Sequence, residues 1–435
     1  MSFFEKSSTT VAPQSTSATT AASDFAIDSE QQSFSDVVRA YGQRFRTGGD
    51  LGLAPAVAAL VVLTVLFGVL RPESFLSKFN FGNYFQQAAP ICVLAIGVTF
   101  VLLLGEIDLS AGYTAGVCAA ILASRLKGGW PLLPALVLAF AVAFAIGLLT
   151  GWLVAKVGIP SFVVTLSFFL SWQGVVLLIT REGGTIRVEN KAIVAIENKN
   201  LPIAVGWSLW LVVVAGFLAV LLWRSMARRK QGLVSEPLAL TGAKVATLGV
   251  LWGLATWQLN ADRGANGIHG IPVAIPLVVA IGLLLTFVLT RTAWGRHIYA
   301  VGGNAEAARR AGIDVARIRM SAFIVCSMMA CVAGIVLASR LNSVDPQTGG
   351  NDTLLIAVGA AVIGGTSLFG GRGKIVNAIV GGLVFALINN GLPLLGKLGG
   401  VDFSAAGPKF IVNGAVLLLF ASIDALSRRR SSAGV

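Results

Sequence analysis

Long apolar runs alternate with short polar stretches along almost the whole chain. Twelve runs are counted, at about 51–70, 87–104, 108–126, 131–155, 160–180, 205–223, 243–259, 271–290, 319–340, 354–369, 375–393 and 408–426. A helix needs about 20 apolar residues to cross a bilayer, and most of these runs reach that length. The runs at 243–259 and 354–369 are the weakest and are expected to be broken or re-entrant. An open sheet edge has no hydrogen-bond partner in lipid, so the runs are expected to be helical. The pattern predicts an all-α polytopic membrane protein with about 12 (10–12) transmembrane helices in a domain spanning 51–426.

The longest polar interruption of the second half is RTAWGRHIYAVGGNAEAARRAGIDVARIR, residues 291–319. It carries six Arg against Glu306 and Asp314. Asn304 is a good helix N-cap, Glu306 stands in the first turn where the helix dipole favours an anion, and Gly312 suits the helix end. About two turns of helix at the membrane surface follow. Two readings stand. The loop (291–318) fixes topology through its charge, or its short helix docks a soluble partner, with Asn304, Glu306, Ala307, Ala308 and Gly312 in contact. Ala307 and Ala308 would leave room for close approach.

Two further interruptions are related. In LGEIDLSAG (104–112) and IGGTSLFGG (363–371), a gap-free alignment matches Gly105 with Gly364, Leu109 with Leu368 and Gly112 with Gly371. Asp108 and Ser367, both good N-caps, fall together, so each segment is expected to break one helix and start the next. The match reads either as chance in a Gly-rich chain or as a parallel internal repeat, a recurring feature of transporters. Small residues at helical spacing, Gly112/Gly116, Gly147/Gly151 and Ala357/Ala361, suit close helix packing in lipid.

Composition agrees with a membrane chain: 55% of residues are hydrophobic and 12% charged, against about 25% charged in soluble domains. The net charge of +13 does not signal nucleic acid, because the positives cluster in short loops beside apolar runs. With a cytoplasmic N-terminus, 21 of the 33 Lys and Arg fall inside, including the clusters at 224–230, 291–319 and 428–430. Both termini are therefore expected in the cytoplasm. Residues 1–35, rich in Ser, Thr, Ala and Gln, are expected to be disordered. A juxtamembrane segment follows at 36–50, and a basic cytoplasmic tail closes the chain at 427–435. Cys92, Cys118, Cys326 and Cys331 lie in or beside apolar runs and read as small core residues. His269 and His297 are far apart with no acidic motif, so no metal site is expected.

Catalytic motifs are missing. GLPLLGKL (391–398) has the spacing of a phosphate loop, but Leu398 stands where Ser or Thr must hold magnesium, so no ATP and no other cofactor is expected on this chain. Ion-coupled transporters carry mid-membrane carboxylates; here Glu106 and Asp108 sit only in the break. That leaves an ion-coupled secondary transporter of a small neutral solute as the alternative. The polar candidates within spans are neutral, and Gln173, Asn389 and Asn390 suit a polyhydroxylated solute or, equally, helix–helix contacts.

Four blocks then fall into a single order: GEIDLSAG (105–112), GIPSFVVTLSFF (158–169), GRHIYAVGGNAEAARRAGIDV (295–315) and GAAVIGGTSLFGGRG (359–373). Over about residues 85–425 the chain resembles the membrane permease subunits of bacterial ABC importers for monosaccharides, of the ribose and xylose type. Its length and its extra apolar material around 205–260 look most similar to the xylose-type permeases. The resemblance implies a transport subunit that is not itself an enzyme. It implies a cytoplasmic ATP-binding subunit that uses ATP and Mg, an extracytoplasmic sugar-binding protein and a second permease copy, all working in membrane lipid. It also implies that the 304–312 helix is the docking element. The Ile and Leu-Pro that usually continue the coupling motif are not found after Gly312.

Overall fold

The computed structural model describes residues 53–181, 184–231, 238–264 and 267–433. The tail expected over 1–35, the segment 36–50 and the last two residues of the basic terminus lie outside the described residues. In chain order the helices are α1 (Ala54–Leu70), the single turn α2 (Pro72–Phe75), α3 (Lys78–Leu103), α4 (Ala111–Lys127), α5 (Leu132–Trp152) with a π turn (Leu153–Val157), and α6 (Ser161–Thr180). The short α7 (Lys191–Asn198) precedes α8 (Ile203–Lys230), α9 (Leu238–Asn260) and α10 (Ala274–Arg291). Then come α11 (Ala293–Gly303), α12 (Ala305–Arg310), α13 (Val315–Leu341), α14 (Asn351–Ile363), α15 (Ile375–Leu395) and α16 (Ala406–Ala433).

Each of the twelve apolar runs has its helix. Among the described residues, eight helices are long and apolar enough to cross a membrane, and three shorter apolar ones accompany them. The expectation that both weak runs are broken or re-entrant needs correction for one of them. The run at 243–259 is unbroken, lying inside the 23 residues of α9. The run at 354–369 is not one span: α14 has 13 residues and stops at Ile363, about 20 Å of helix at 1.5 Å per residue. That is shorter than a hydrocarbon core about 30 Å thick.

Contacts divide the described residues into a large unit, within 53–209 and 253–433, and a small one within Trp210–Trp252. In the small unit α8 and α9 form a hairpin, with the Trp210 indole donating to the Gly249 carbonyl at 2.9 Å. In the large unit α13 is the central helix, packed against α3, α5 and α4, and α3 also packs on α15 and α14. The second half of α3 is buried almost without interruption from Ala88 to Leu103. Lipid-like solvent gives helices no hydrophobic reason to associate, so dispersion from close backbone approach must serve. Gly147 and Gly151 of α5 supply that approach: a Cβ on either would stand 2.6 Å from the Ile324 Cα and 2.7 Å from the Met320 Cα of α13. All four cysteines are buried.

Loop contacts sort the large unit into two ends. At one end, Ile186–Arg187 pairs with Ser343–Val344, the Leu201 N–H bonds the Ile271 carbonyl and Arg71 donates to the Leu395 carbonyl at 2.7 Å. At the other end lie 104–110, 291–314 and 364–374, where the Gly371 N–H bonds the Leu103 carbonyl.

Candidate functional site

The site begins with the way two core helices stop. At the end of α3 the Gly105 N–H bonds Leu102 O and the Glu106 N–H bonds Val101 O; at the end of α14 the Gly365 N–H bonds Val362 O and the Thr366 N–H bonds Ala361 O. Gly105 and Gly365 both take the left-handed conformation, φ +73° and +90°, which costs glycine no Cβ clash. Both ends are Schellman motifs. The true correspondence is therefore Gly105 with Gly365, one residue out of the alignment that paired Gly105 with Gly364.

The likeness ends there, because α4 starts at Ala111 and α15 at Ile375, with Ser110 and Lys374 at their N-caps. Asp108 and Ser367 lie in the breaks, yet neither is an N-cap. Asp108 Oδ1 accepts from the Ser110 N–H at 2.9 Å and the Ser110 hydroxyl at 2.6 Å. Ser367 Oγ accepts from the Phe369 N–H at 3.1 Å. Each closes a local turn of the kind such short polar side chains favour over helix.

The two breaks meet. A Cβ on Gly105 would lie 3.3 Å from the Phe369 carbonyl oxygen, and the Gly371 N–H donates to Leu103 O at 2.8 Å. Against this seam rests the end of α11. Thr292 caps α11 by accepting from the Gly295 N–H at 3.1 Å. Trp294 stacks on Phe100 of α3, ring centroids 5.6 Å apart, and donates to the Ser321 hydroxyl of α13 at 2.7 Å. The Tyr299 hydroxyl donates to the Gly373 carbonyl at 2.7 Å. Gly302 has no room for a side chain, since a Cβ would collide with the Leu103 carbonyl and crowd the Gly371 nitrogen.

From this joint the chain turns directly into α12. Asn304 is its cap, accepting from the Ala307 N–H at 2.9 Å. Gly312, φ +84°, ends it in another Schellman pattern, with Gly312 N–H to Arg309 O and Ile313 N–H to Ala308 O. Glu306 pairs with Arg309 at 2.6 Å and Arg310 at 3.3 Å, all three exposed. Ala307 is exposed while Ala308 is buried, 4% accessible. The expectation that both alanines face outward is therefore corrected: Ala308 seats α12 on Ile298, Val301 and Val315. Arg319 of α13 forms an ion pair with Glu106 of the first break at 3.3 Å, a further link into the same seam.

The neutral residues singled out for a solute path are not brought together. Gln173 is half-buried on α6, a helix packed on α4. Asn390 on α15 is buried in a reciprocal amide pair with Asn80 of α3, 2.9 Å in both directions, and Asn80 donates also to Phe75 O. Asn390 is thus engaged in a helix–helix contact. Asn389 donates to Phe385 O at 3.0 Å and accepts from Asn413 at 3.4 Å. The GLPLLGKL run is helical through Leu395, with Gly391 against the Phe67 ring, and does not form a loop.

At the opposite end Glu197 of α7 was not singled out. Its residue is 1% exposed, and neither carboxylate oxygen has a hydrogen-bond partner among the described residues. Burial pushes its pKa up to about 8, with Arg340 opposing the shift. Backbone bonds hold it: the Glu197 N–H donates to the Ser339 hydroxyl at 3.0 Å, and Gln86 donates to the Glu197 carbonyl at 2.6 Å. The sequence signal was present, because Glu197 shares a face with Ile193 in KAIVAIEN at helical spacing.

Residues 80–421 match the family model described as the branched-chain amino acid transport system permease component. The chain is 34% identical over 380 residues to the xylose transport system permease protein XylH of Escherichia coli (strain K12), covering 86% of this chain and 92% of the relative. Over 376 residues it is 32% identical to the XylH protein of Haemophilus influenzae, covering 86% and 96%. The ribose import permease protein RbsC of Escherichia coli (strain K12) is 30% identical over 383 residues, covering 88% and 97%. No solved structure matches the chain.

Proposed function

Because the chain belongs to this permease family, we propose that it is the membrane-spanning subunit of an ATP-driven importer of a monosaccharide, a pentose such as xylose or ribose being the leading class. It moves sugar across the bacterial plasma membrane, with both termini cytoplasmic. Free energy arrives from a cytoplasmic ATP-binding subunit and sugar from an extracytoplasmic binding protein, and a second copy of the chain completes the path. The chain itself performs no chemistry.

One observation carries the mechanism: Gly302 lies in backbone contact with both helix breaks, two residues before Asn304, the N-cap of α12. A partner that displaces α12 moves Gly302, and Gly302 leaves no side chain to absorb the displacement. The ends of α3 and α14 and the start of α15 then shift as packed bodies, as bistable interfaces do. Outward-facing Asn304, Glu306 and Ala307 would meet the partner, with Gly312 setting the angle at which the chain leaves. Ala308 acts from beneath, as the seat of the helix. Both carboxylates of the first break are engaged, Glu106 by Arg319 and Asp108 by Ser110, which favours this reading over coupling to an ion.

The experiment is reconstitution in liposomes with the candidate ATP-binding and sugar-binding partners, using a panel of pentoses and hexoses. ATP hydrolysis and uptake should rise together for a pentose and should not respond to a proton gradient without ATP. Uptake driven by the gradient alone would return the ion-coupled alternative.

A further inference from the structure

The α8–α9 hairpin holds a feature that translocation does not use. Between the two helices lies a groove of about 450 Å³ lined by Arg224, Arg228 and Gln231 of the α8 end, Thr241 and Lys244 of α9, and Trp223 at its edge. Arg224, Arg228 and Gln231 follow at i, i+4 and i+7, one face of a helix. No acidic side chain lines the groove among the described residues. Basic residues at a helix C-terminus are ordinary dipole partners, which accounts for the last turn of α8 in general. It does not account for a cavity into which a facing helix adds a further cation and a buried hydroxyl, that of Thr241. Leu221, Ala227 and Trp223 add apolar surface to its lining, and elsewhere along the two helices Trp223 and Met226 of α8 and Val250 and Leu251 of α9 are exposed bulky apolar side chains. A ligand there would have an anionic head between guanidinium groups and an apolar body along the helices.

We propose that this groove binds the phosphate headgroup of an anionic phospholipid, at the membrane face where the count of basic residues places the cytoplasm. Arg suits the role because its planar fork meets phosphate oxygens through two parallel bonds. Trp223 stands where indole rings favour the headgroup level, and basic pockets between spanning helices are suited to such heads. Lipid, not a soluble anion, is the occupant because the walls continue into apolar helix faces.

The test is native mass spectrometry of the full-length protein in mild detergent, titrated with phosphatidylglycerol or with phosphatidylcholine of matched chains. One phosphatidylglycerol per chain should be retained at concentrations where phosphatidylcholine is lost. Arg224→Gln/Arg228→Gln should weaken retention at least tenfold. Arg229→Gln/Lys230→Gln removes the same charge from the same helix end outside the groove and should leave retention unchanged. Arg224→Lys/Arg228→Lys preserves the charge that guides insertion and should weaken retention three- to tenfold, which decides the matter if the glutamine pair is not recovered folded. Equal retention of both lipids, equal loss in the 229/230 control, or no loss in the lysine pair would overturn the proposal. So would displacement of the lipid by millimolar inorganic phosphate, which would mark a soluble-anion site.

Discussion

The Tyr299 hydroxyl donates a 2.7 Å hydrogen bond to the Gly373 carbonyl, tying the helix that leads into α12 to the residue just ahead of α15. The bond is neutral and part-buried, so Tyr299→Phe should cost about 0.5–1.5 kcal/mol without disturbing insertion. If the joint transmits force, sugar uptake should fall while partner-stimulated ATP hydrolysis continues. Uptake and hydrolysis falling in equal proportion would assign Tyr299 to stability alone.

The two alanines of α12 should separate docking from seating. Ala307→Trp adds bulk to the exposed face, so the ATP-binding subunit should no longer co-purify while the thermal stability of the permease is unchanged. Ala308→Trp overpacks a buried site, for which about 1–3 kcal/mol of destabilisation is usual, so its melting temperature should fall. Equal melting temperatures in the two variants would show that the buried and exposed faces of α12 have been misassigned.

How much of this was legible in the chain depends on the range of the interaction. Helix existence follows from local hydropathy, and twelve runs became twelve helices. Caps are local as well: Asn304 and Gly312 do what their chemistry implies within three residues. The face of a six-residue helix is not legible, because six residues contain too few apolar positions to define a stripe, and Ala307 and Ala308 look alike. The break alignment slipped by one residue for a similar reason. Gly364 and Gly365 are adjacent, and only the backbone dihedral shows which one ends the helix. Contacts of long sequence separation were invisible: Gly302 against Leu103, or Asn80 against Asn390, join segments that no periodicity relates.

That last pair yields a double-mutant test. Asn390→Leu strands the buried Asn80 amide and should cost about 1–3 kcal/mol. Asn80→Leu/Asn390→Leu removes both partners and should recover much of that loss. Thermal unfolding in detergent measures the cycle. Additive losses would mean that the two amides are independent, and would reopen a role for Asn390 in the solute path.

Glu197 should make the end of the protein opposite α12 sensitive to pH. Its carboxyl is raised from an ordinary 4.5 to about 8, so the packed state binds the proton more tightly than the opened state. The stability this contributes is complete below about pH 4.5 and is lost as pH rises through about 8. Hydrogen exchange over 191–198 should therefore be faster at pH 9 than at pH 6, after correction for intrinsic rates. Glu197→Gln should flatten that dependence. An unchanged pH response in the variant would place its source elsewhere.

The joint itself is tested most directly by comparing two adjacent glycines. A Cβ at Gly302 collides with the Leu103 carbonyl, whereas a Cβ at Gly303 meets nothing within 4 Å. The measurement is sugar transported per ATP hydrolysed in reconstituted Gly302→Ala and Gly303→Ala, with co-purification of the ATP-binding subunit confirming assembly. Gly303→Ala should match the unmodified protein. Gly302→Ala should keep its partner and hydrolyse ATP, with transport per ATP reduced at least tenfold. An unchanged ratio in Gly302→Ala would contradict the account, because force would then reach the membrane helices without passing through this contact.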